Sequence, residues 1–160
     1  EKWSNMKVEY PNTKLHLIGG LQTNKVKLAV RIFDYIHSVD SEKLARKISE
    51  EQKKQSKKIK IFIQVNLGEE KQKSGILKKN LKQFCEYCKK LDLEILGLMC
   101  IPPQNEDPKI FFKQLYLLNE SLGLKDLSMG MSSDYLIAVE CSSSYLRIGS
   151  KIFGERKIKL

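Results

Sequence analysis

Two short segments carry the residue types most suited to chemistry. Gly130-Met131-Ser132-Ser133-Asp134 and Gly149-Ser150, which runs into Lys151-Ile152-Phe153-Gly154, each follow a short apolar run. Small residues and hydroxyls at the end of a strand, just before a helix, suit a phosphate. Backbone N–H groups point outward there, and the helix dipole favours an anion. Glycine and serine are also the default turn and cap residues, so spacing alone leaves tight turns and capped helices as the ordinary reading. Arg147 lies two residues before Gly149, and strand alternation gives it the same direction as Tyr145 and Gly149. An arginine facing an interior needs a partner or a ligand; facing outward it would join a surface ion pair.

Other reactive residues lack partners in the sequence. Cys85-Glu86-Tyr87-Cys88 has CxxC spacing, but no second pair follows, and Cys88 falls on an apolar stripe. Buried packing is the better reading than a metal site. Cys100 ends an apolar run with nothing beside it to activate a thiol. His16 and His37 have no ligand-spaced neighbour and read as structural. There is no P-loop, no GxGxxG after a strand and no G-x-S-x-G elbow.

These residues must be positioned by alternating strands and helices. Strands are expected at 15–18, 34–39, 59–65, 93–100, 127–129 and 145–148. The clearest is Ile59 to Val65, too short and too β-branched for a helix. Leu77, Leu81, Phe84, Cys88 and Leu91 form one helical stripe, and Phe111, Leu115, Leu118 and Leu122 form another. A further helix begins near Asp40 or Ser41 and carries Leu44 and Ile48 inward. Residues 52–60 read as a solvated helix end and loop. Repeated strand-helix alternation means a parallel sheet. Six units fit an open doubly wound sheet; a closed (β/α)8 barrel needs eight units and about 200 residues or more.

The chain has 160 residues, 41% hydrophobic and 30% charged, the balance of one folded domain. No apolar run is long enough for a bilayer and no signal-peptide pattern opens the chain, so no membrane partner and a cytoplasmic setting are expected. The net charge of +10 raises nucleic acid as a partner. Against it, only Arg31, Arg46, Arg147 and Arg156 among the 29 basic residues are arginine, and the lysines are scattered without aromatic interleaving.

Six motifs, in order, resemble the pyridoxal phosphate homeostasis protein family, which is similar to the barrel domain of alanine racemase. They are His16-Leu17-Ile18-Gly19-Gly20-Leu21-Gln22-Thr23-Asn24-Lys25, Ile36 to Ser41, Gln64-Val65-Asn66 with Lys73-Ser74-Gly75, Gly97 to Pro103, Leu127 to Ser132, and Arg147 to Gly154. The likeness runs from about Leu15 to Arg156. It implies an α/β fold, the (β/α)8 TIM barrel of fold type III, with pyridoxal 5′-phosphate as cofactor. It implies that Met131, Ser132, Gly149 and Ser150 line the phosphate and that Arg147 approaches the pyridine nitrogen. It also implies a non-enzymatic role in intracellular homeostasis of the cofactor. A racemase-like enzyme fragment is the alternative, and a basic nucleic-acid-binding protein a weaker one.

The family's Schiff-base lysine lies in a V-S-K-type motif before a G-E-N-type motif, and Glu1-Lys2-Trp3 aligns after both. By resemblance, residues 1–160 are a single partial barrel domain of about six of the eight units, the first two missing. Weakened or lost covalent binding is then expected, with no lysine here assigned to the Schiff base. Apolar interior side chains should meet water at such an opening. Self-association or a complementing N-terminal fragment would close it.

Overall fold

The computed structural model describes residues 2–70 and 72–154; Glu1 and Arg156, which served the sequence comparison, lie outside the described residues. The β-branched runs form strands and the striped segments form the helices between them. The elements in chain order are α1 (Lys2–Glu9), β1 (His16–Leu17), α2 (Val26–Ile32), β2 (Tyr35–Val39), α3 (Glu42–Gln55), β3 (Lys60–Gln64) and α4 (Lys78–Lys90). They continue with β4 (Glu94–Met99), α5 (Pro108–Ser121), β5 (Asp126–Met131), α6 (Tyr135–Glu140), β6 (Tyr145–Arg147) and α7 (Ser150–Phe153). Each of the six expected strands is present, trimmed or extended by one to three residues at its ends.

All neighbouring strands pair in parallel, in the unbroken order β1-β2-β3-β4-β5-β6. A doubly wound sheet reverses its strand order at a switch point. This one does not, so it winds in one direction as a barrel does. The result is a six-stranded parallel half-barrel. Its two outermost strands lean toward each other across the concave face: the ring of His16 on β1 lies 5.8 Å from that of Tyr145 on β6.

Register separates the two faces. Leu17 pairs with Ile36, Ile36 with Ile61, Ile63 with Leu98 and Leu98 with Leu127. These residues meet the helices and form the buried core with Leu44 and Ile48 of α3, Leu81 and Phe84 of α4, and Leu115 of α5. The concave face carries the alternate set, in which His16 pairs with Tyr35, Phe62 with Gly97, Met99 with Ser128 and Ser128 with Tyr145. The expected exposure of apolar interior side chains is found in part: Phe62 and Met99 are fully buried, while Ile18 and Met131, which line the cavity, are exposed.

The helices start and stop by local chemistry. Ser41, not Asp40, caps α3: its hydroxyl accepts from the Leu44 N–H at 3.4 Å. Ser56 ends the helix in the left-handed region, φ 48°. The solvated reading of residues 52–60 needs correction. Glu51 and Gln52 are buried, and the Gln52 carboxamide oxygen accepts from the Ile59 N–H at 2.5 Å, tying the helix end to β3. Periodicity marks such a glutamine as solvent-facing because it cannot see the returning strand. Asp107 caps α5 by accepting from the Lys109 N–H at 2.9 Å, with Pro108 in the first turn. α1 is held by polar contacts, Lys7 pairing with Asp34 and donating to the Thr13 carbonyl at 3.0 Å.

Candidate functional site

The carboxyl ends of β5 and β6 meet because Gly130 lets them. Its φ is +93°, and a Cβ there would lie 2.5 Å from the Ala138 Cβ and 2.9 Å from Leu146 Cδ2. Any side chain would push α6 and β6 away, so this glycine serves turn and packing. Beyond it the two loops interlock. The Ser132 hydroxyl oxygen accepts from the Gly149 N–H at 3.1 Å and from the Lys151 N–H at 3.4 Å. The Met131 N–H donates to Asp134 Oδ1 at 2.6 Å. Gly149 differs from Gly130: its φ is −122° and the space where a Cβ would stand is open.

All five residues singled out for the site, Met131, Ser132, Arg147, Gly149 and Ser150, line one cavity of about 1020 Å³ together with His16, His37 and Tyr145. Ser150 opens α7 at the cavity wall, and Met131 is exposed at its rim. The donor set suits a phosphate ester, because backbone N–H groups from two loops already converge on hydroxyl and carboxylate oxygens.

Arg147 faces the interior. Its Nη1 donates to Ser128 Oγ at 2.8 Å and its Nη2 to the Cys100 carbonyl at 2.9 Å. Burial lowers the guanidinium pKa, yet arginine stays cationic over any working pH. Beside it lies a group of residues that sequence reasoning left as isolated structural histidines. His37 Nδ1 is 2.7 Å from Ser128 Oγ, and His37 Nε2 is 2.9 Å from His16 Nδ1. His16 stacks on Tyr35 with centroids 4.0 Å apart, and His37 on Phe62 at 4.4 Å. Burial, then the charges of His16 and Arg147, push His37 down to about 3, so it is neutral. Burial also lowers His16, opposed by Asp34. The signal for this cluster was alternation: His37 shares a face with Tyr35, and Ser128 with Gly130. What sequence lacked was the strand order that brings β1, β2, β5 and β6 together.

The cysteines are buried. Burial raises Cys85 to about 11 and both Cys88 and Cys100 to about 12, which suits packing rather than nucleophilic or ligand chemistry. Among the described residues no group of three or more His, Cys, Asp or Glu side chains is arranged to hold a metal ion. Among them, too, no helix is long and apolar enough to cross a membrane.

A singly wound parallel half-barrel with a cavity at the carboxyl ends of the last strands is the architecture of a recognised class. The family model described as "Alanine racemase, N-terminal domain" matches residues 5–157. The same fold recurs in D-threonine aldolase from Filomicrobium marinum, TM-score 0.73 at 14% identity over 94% of this chain and 46% of that one. Within the class, the chain is 41% identical over 152 residues to a pyridoxal phosphate homeostasis protein of Aquifex aeolicus, covering 89% of this chain and 67% of that protein. It is 40% identical over 150 residues to one of Vibrio cholerae, covering 88% and 64%. PipY of Synechococcus elongatus, solved with pyridoxal phosphate bound, superposes with a TM-score of 0.87 at 31% identity, covering 94% of this chain and 75% of PipY. The chain belongs to the pyridoxal phosphate homeostasis protein family. It spans about two thirds of the length of these curated relatives.

Proposed function

We propose that this chain binds pyridoxal 5′-phosphate and serves its homeostasis as a carrier rather than a catalyst, in the cytoplasm. On this reading Ser132, Gly149 and Ser150, with the backbone at Met131, hold the phosphate at the rim of the cavity. Arg147 donates to the pyridine nitrogen from the floor. The observation that carries the reading is the Ser132 hydroxyl, which gathers the Gly149 and Lys151 N–H groups of the facing loop. A phosphate oxygen is the natural acceptor for the same donors. Bound pyridoxal phosphate supplies an aldehyde that condenses with amines; the residues named here bind and orient it without taking part in that chemistry. A cationic arginine at the ring nitrogen keeps it unprotonated, so the ring is a weak electron sink.

The relatives' names and the bound cofactor in PipY support this choice of ligand. Residues 1–160 form one domain on this reading, corresponding to the last six of eight barrel units. The outer edges at β1 and β6 are where further strands, or a second copy, would pair.

The test is a calorimetric titration with pyridoxine 5′-phosphate, the alcohol analogue, which cannot condense with the chain's many lysines. Pyridoxine without the phosphate is the control. The phosphate ester should bind at least about tenfold more tightly, since hydrogen bonds to a charged group contribute about 1.5–3 kcal/mol each. Ser132→Ala should weaken the ester and leave pyridoxine unchanged. Equal affinities for the two ligands, or no binding of the ester, would overturn the reading.

A further inference from the structure

The chain of contacts from His16 to Arg147 has only one proton arrangement that gives every contact one donor and one acceptor. Arginine can only donate, so Ser128 Oγ accepts from Arg147 Nη1. Ser128 is fully buried, and its one hydroxyl proton has an acceptor in reach, His37 Nδ1 at 2.7 Å. His37 then carries its proton on Nε2 and donates to His16 Nδ1 at 2.9 Å, which leaves the His16 proton on Nε2. Each of the three contacts then has one donor and one acceptor, and the direction of all three is set by the arginine.

A second proton on His16 cannot enter this arrangement. It would place an N–H on His16 Nδ1 facing the His37 Nε2–H. Relief requires His37 to move its proton to Nδ1. Ser128 Oγ must then accept from His37 and Arg147 together, and its own proton loses its buried acceptor. One proton taken up at the cavity wall thus reverses two bonds and weakens the hold on Arg147.

We infer that His16, His37 and Ser128 are positioning residues that set the Arg147 guanidinium in the cavity and couple its grip on ligand to protonation of His16. The inference rests on the cofactor reading for its ligand, though not for the wire itself. His16 lines the same cavity as Arg147, so solvent and ligand reach both ends of the chain. The charged and titratable groups around it favour neither a fixed charge nor a rival acceptor. From the β2 side come Asp34, whose carboxylate attracts a proton to His16 but is engaged by Lys7, and Tyr35, stacked on the ring. From β3 comes Lys60, 5.7 Å from the Tyr35 centroid. From β5 and β6 come Asp126, which acts on Tyr145, and Tyr145 itself, 5.8 Å from His16. Arg147 feels Cys100 and Asp134. Burial, the largest influence on both histidines, keeps the pair neutral near neutral pH.

Two measurements test this. Imidazole ¹⁵N shifts of the ligand-free chain at pH 8 should show both histidines as Nε2–H tautomers, with His37 switching to Nδ1–H as His16 protonates below pH 6.5. Titration with pyridoxine 5′-phosphate from pH 8 to 5.5 should show the wild type losing about five- to tenfold more affinity than His16→Phe, the worth of one neutral hydrogen bond. The ligand's own titration cancels in that comparison. Phe keeps the stack on Tyr35, and His16 is half-exposed, so this variant tests the chain even if Ser128→Ala fails to fold. Ser128→Ala, where folded, should bind about five- to tenfold more weakly at pH 8 and lose the His16-dependent pH response. Parallel pH profiles for wild type and His16→Phe, or a His37 Nδ1–H tautomer at pH 8, would overturn the inference. A wild type that binds no ligand would instead overturn the cofactor reading, and the tautomer measurement would still decide the wire.

Discussion

Replacing Gly130 with alanine should cost far more stability than the same change at Gly123, although both have positive φ. Gly123, at φ +64°, has nothing within 4 Å of where a Cβ would stand. Gly123→Ala therefore meets only backbone strain, about 1–2 kcal/mol for a left-handed residue. Gly130, at φ +93°, has the Ala138 Cβ at 2.5 Å and Leu146 Cδ2 at 2.9 Å from that point. Ala138 is fully buried and packs β5 against α6, so it has nowhere to go. Overpacking of this kind adds about 1–3 kcal/mol. The sum for Gly130→Ala is about 2–5 kcal/mol, a large share of a typical domain's stability. Urea denaturation followed by circular dichroism reads both variants against wild type. Gly130→Ala should also weaken pyridoxine 5′-phosphate binding at half-denaturing concentrations and below, because the displaced β6 carries Arg147 and leads into Gly149. Equal losses for the two variants would refute the steric argument, leaving φ alone as the cause.

Three further perturbations follow from single contacts. Asn119 is buried, accepts from the Leu98 N–H at 3.1 Å and donates to the Leu124 carbonyl at 2.9 Å. Asn119→Ala strands two buried backbone groups and should cost about 2–5 kcal/mol by urea denaturation. His37 has a folded pKa of about 3 against 6.5 unfolded, so its contribution is complete above pH 6.5 and is lost as pH falls from 6.5 toward 3. The unfolding free energy from urea denaturation should drop through that window, by up to about 1.4 kcal/mol per pH unit, and His37→Asn should flatten the slope. The thiols of Cys85, Cys88 and Cys100, raised to about 11, 12 and 12, should resist iodoacetamide at pH 8 until the chain is unfolded, as read by mass spectrometry.

The parts of the fold visible in the sequence are those whose burial is local. β3 announces itself because Ile61 and Ile63 are fully buried toward the helices while Phe62 fills the concave side. α4 and α5 announce themselves because one stripe meets one sheet. The start of α3 was readable to within one residue, Asp40 or Ser41, because a cap reaches only two or three residues. Gln52 was misread for the opposite reason: its partner, the Ile59 N–H, belongs to the next strand. α1 was invisible because its anchor, the Lys7 pair with Asp34, spans 27 residues.

The site divides along the same line, and the two glycines show where. Gly130 and Gly149 looked alike, each a glycine after a strand and before serines. One is required by packing, with α6 and β6 against its missing Cβ, while the other borders open space and offers its N–H to Ser132. The turn-and-packing reading therefore holds for Gly130, while Gly149 is free of any packing demand on its missing side chain, a distinction no spacing could make. His37 and Ser128 lie 91 residues apart and meet because the sheet curls until β2 and β5 face each other. A flat parallel sheet with the same six strands would keep every local signal and lose this contact. Curvature is thus what turns two unremarkable strand residues into supports for Arg147. It also explains why the grouping of Ser132 with Gly149 and Ser150, built within 20 residues of chain, was legible from sequence while the partners of Arg147 were not.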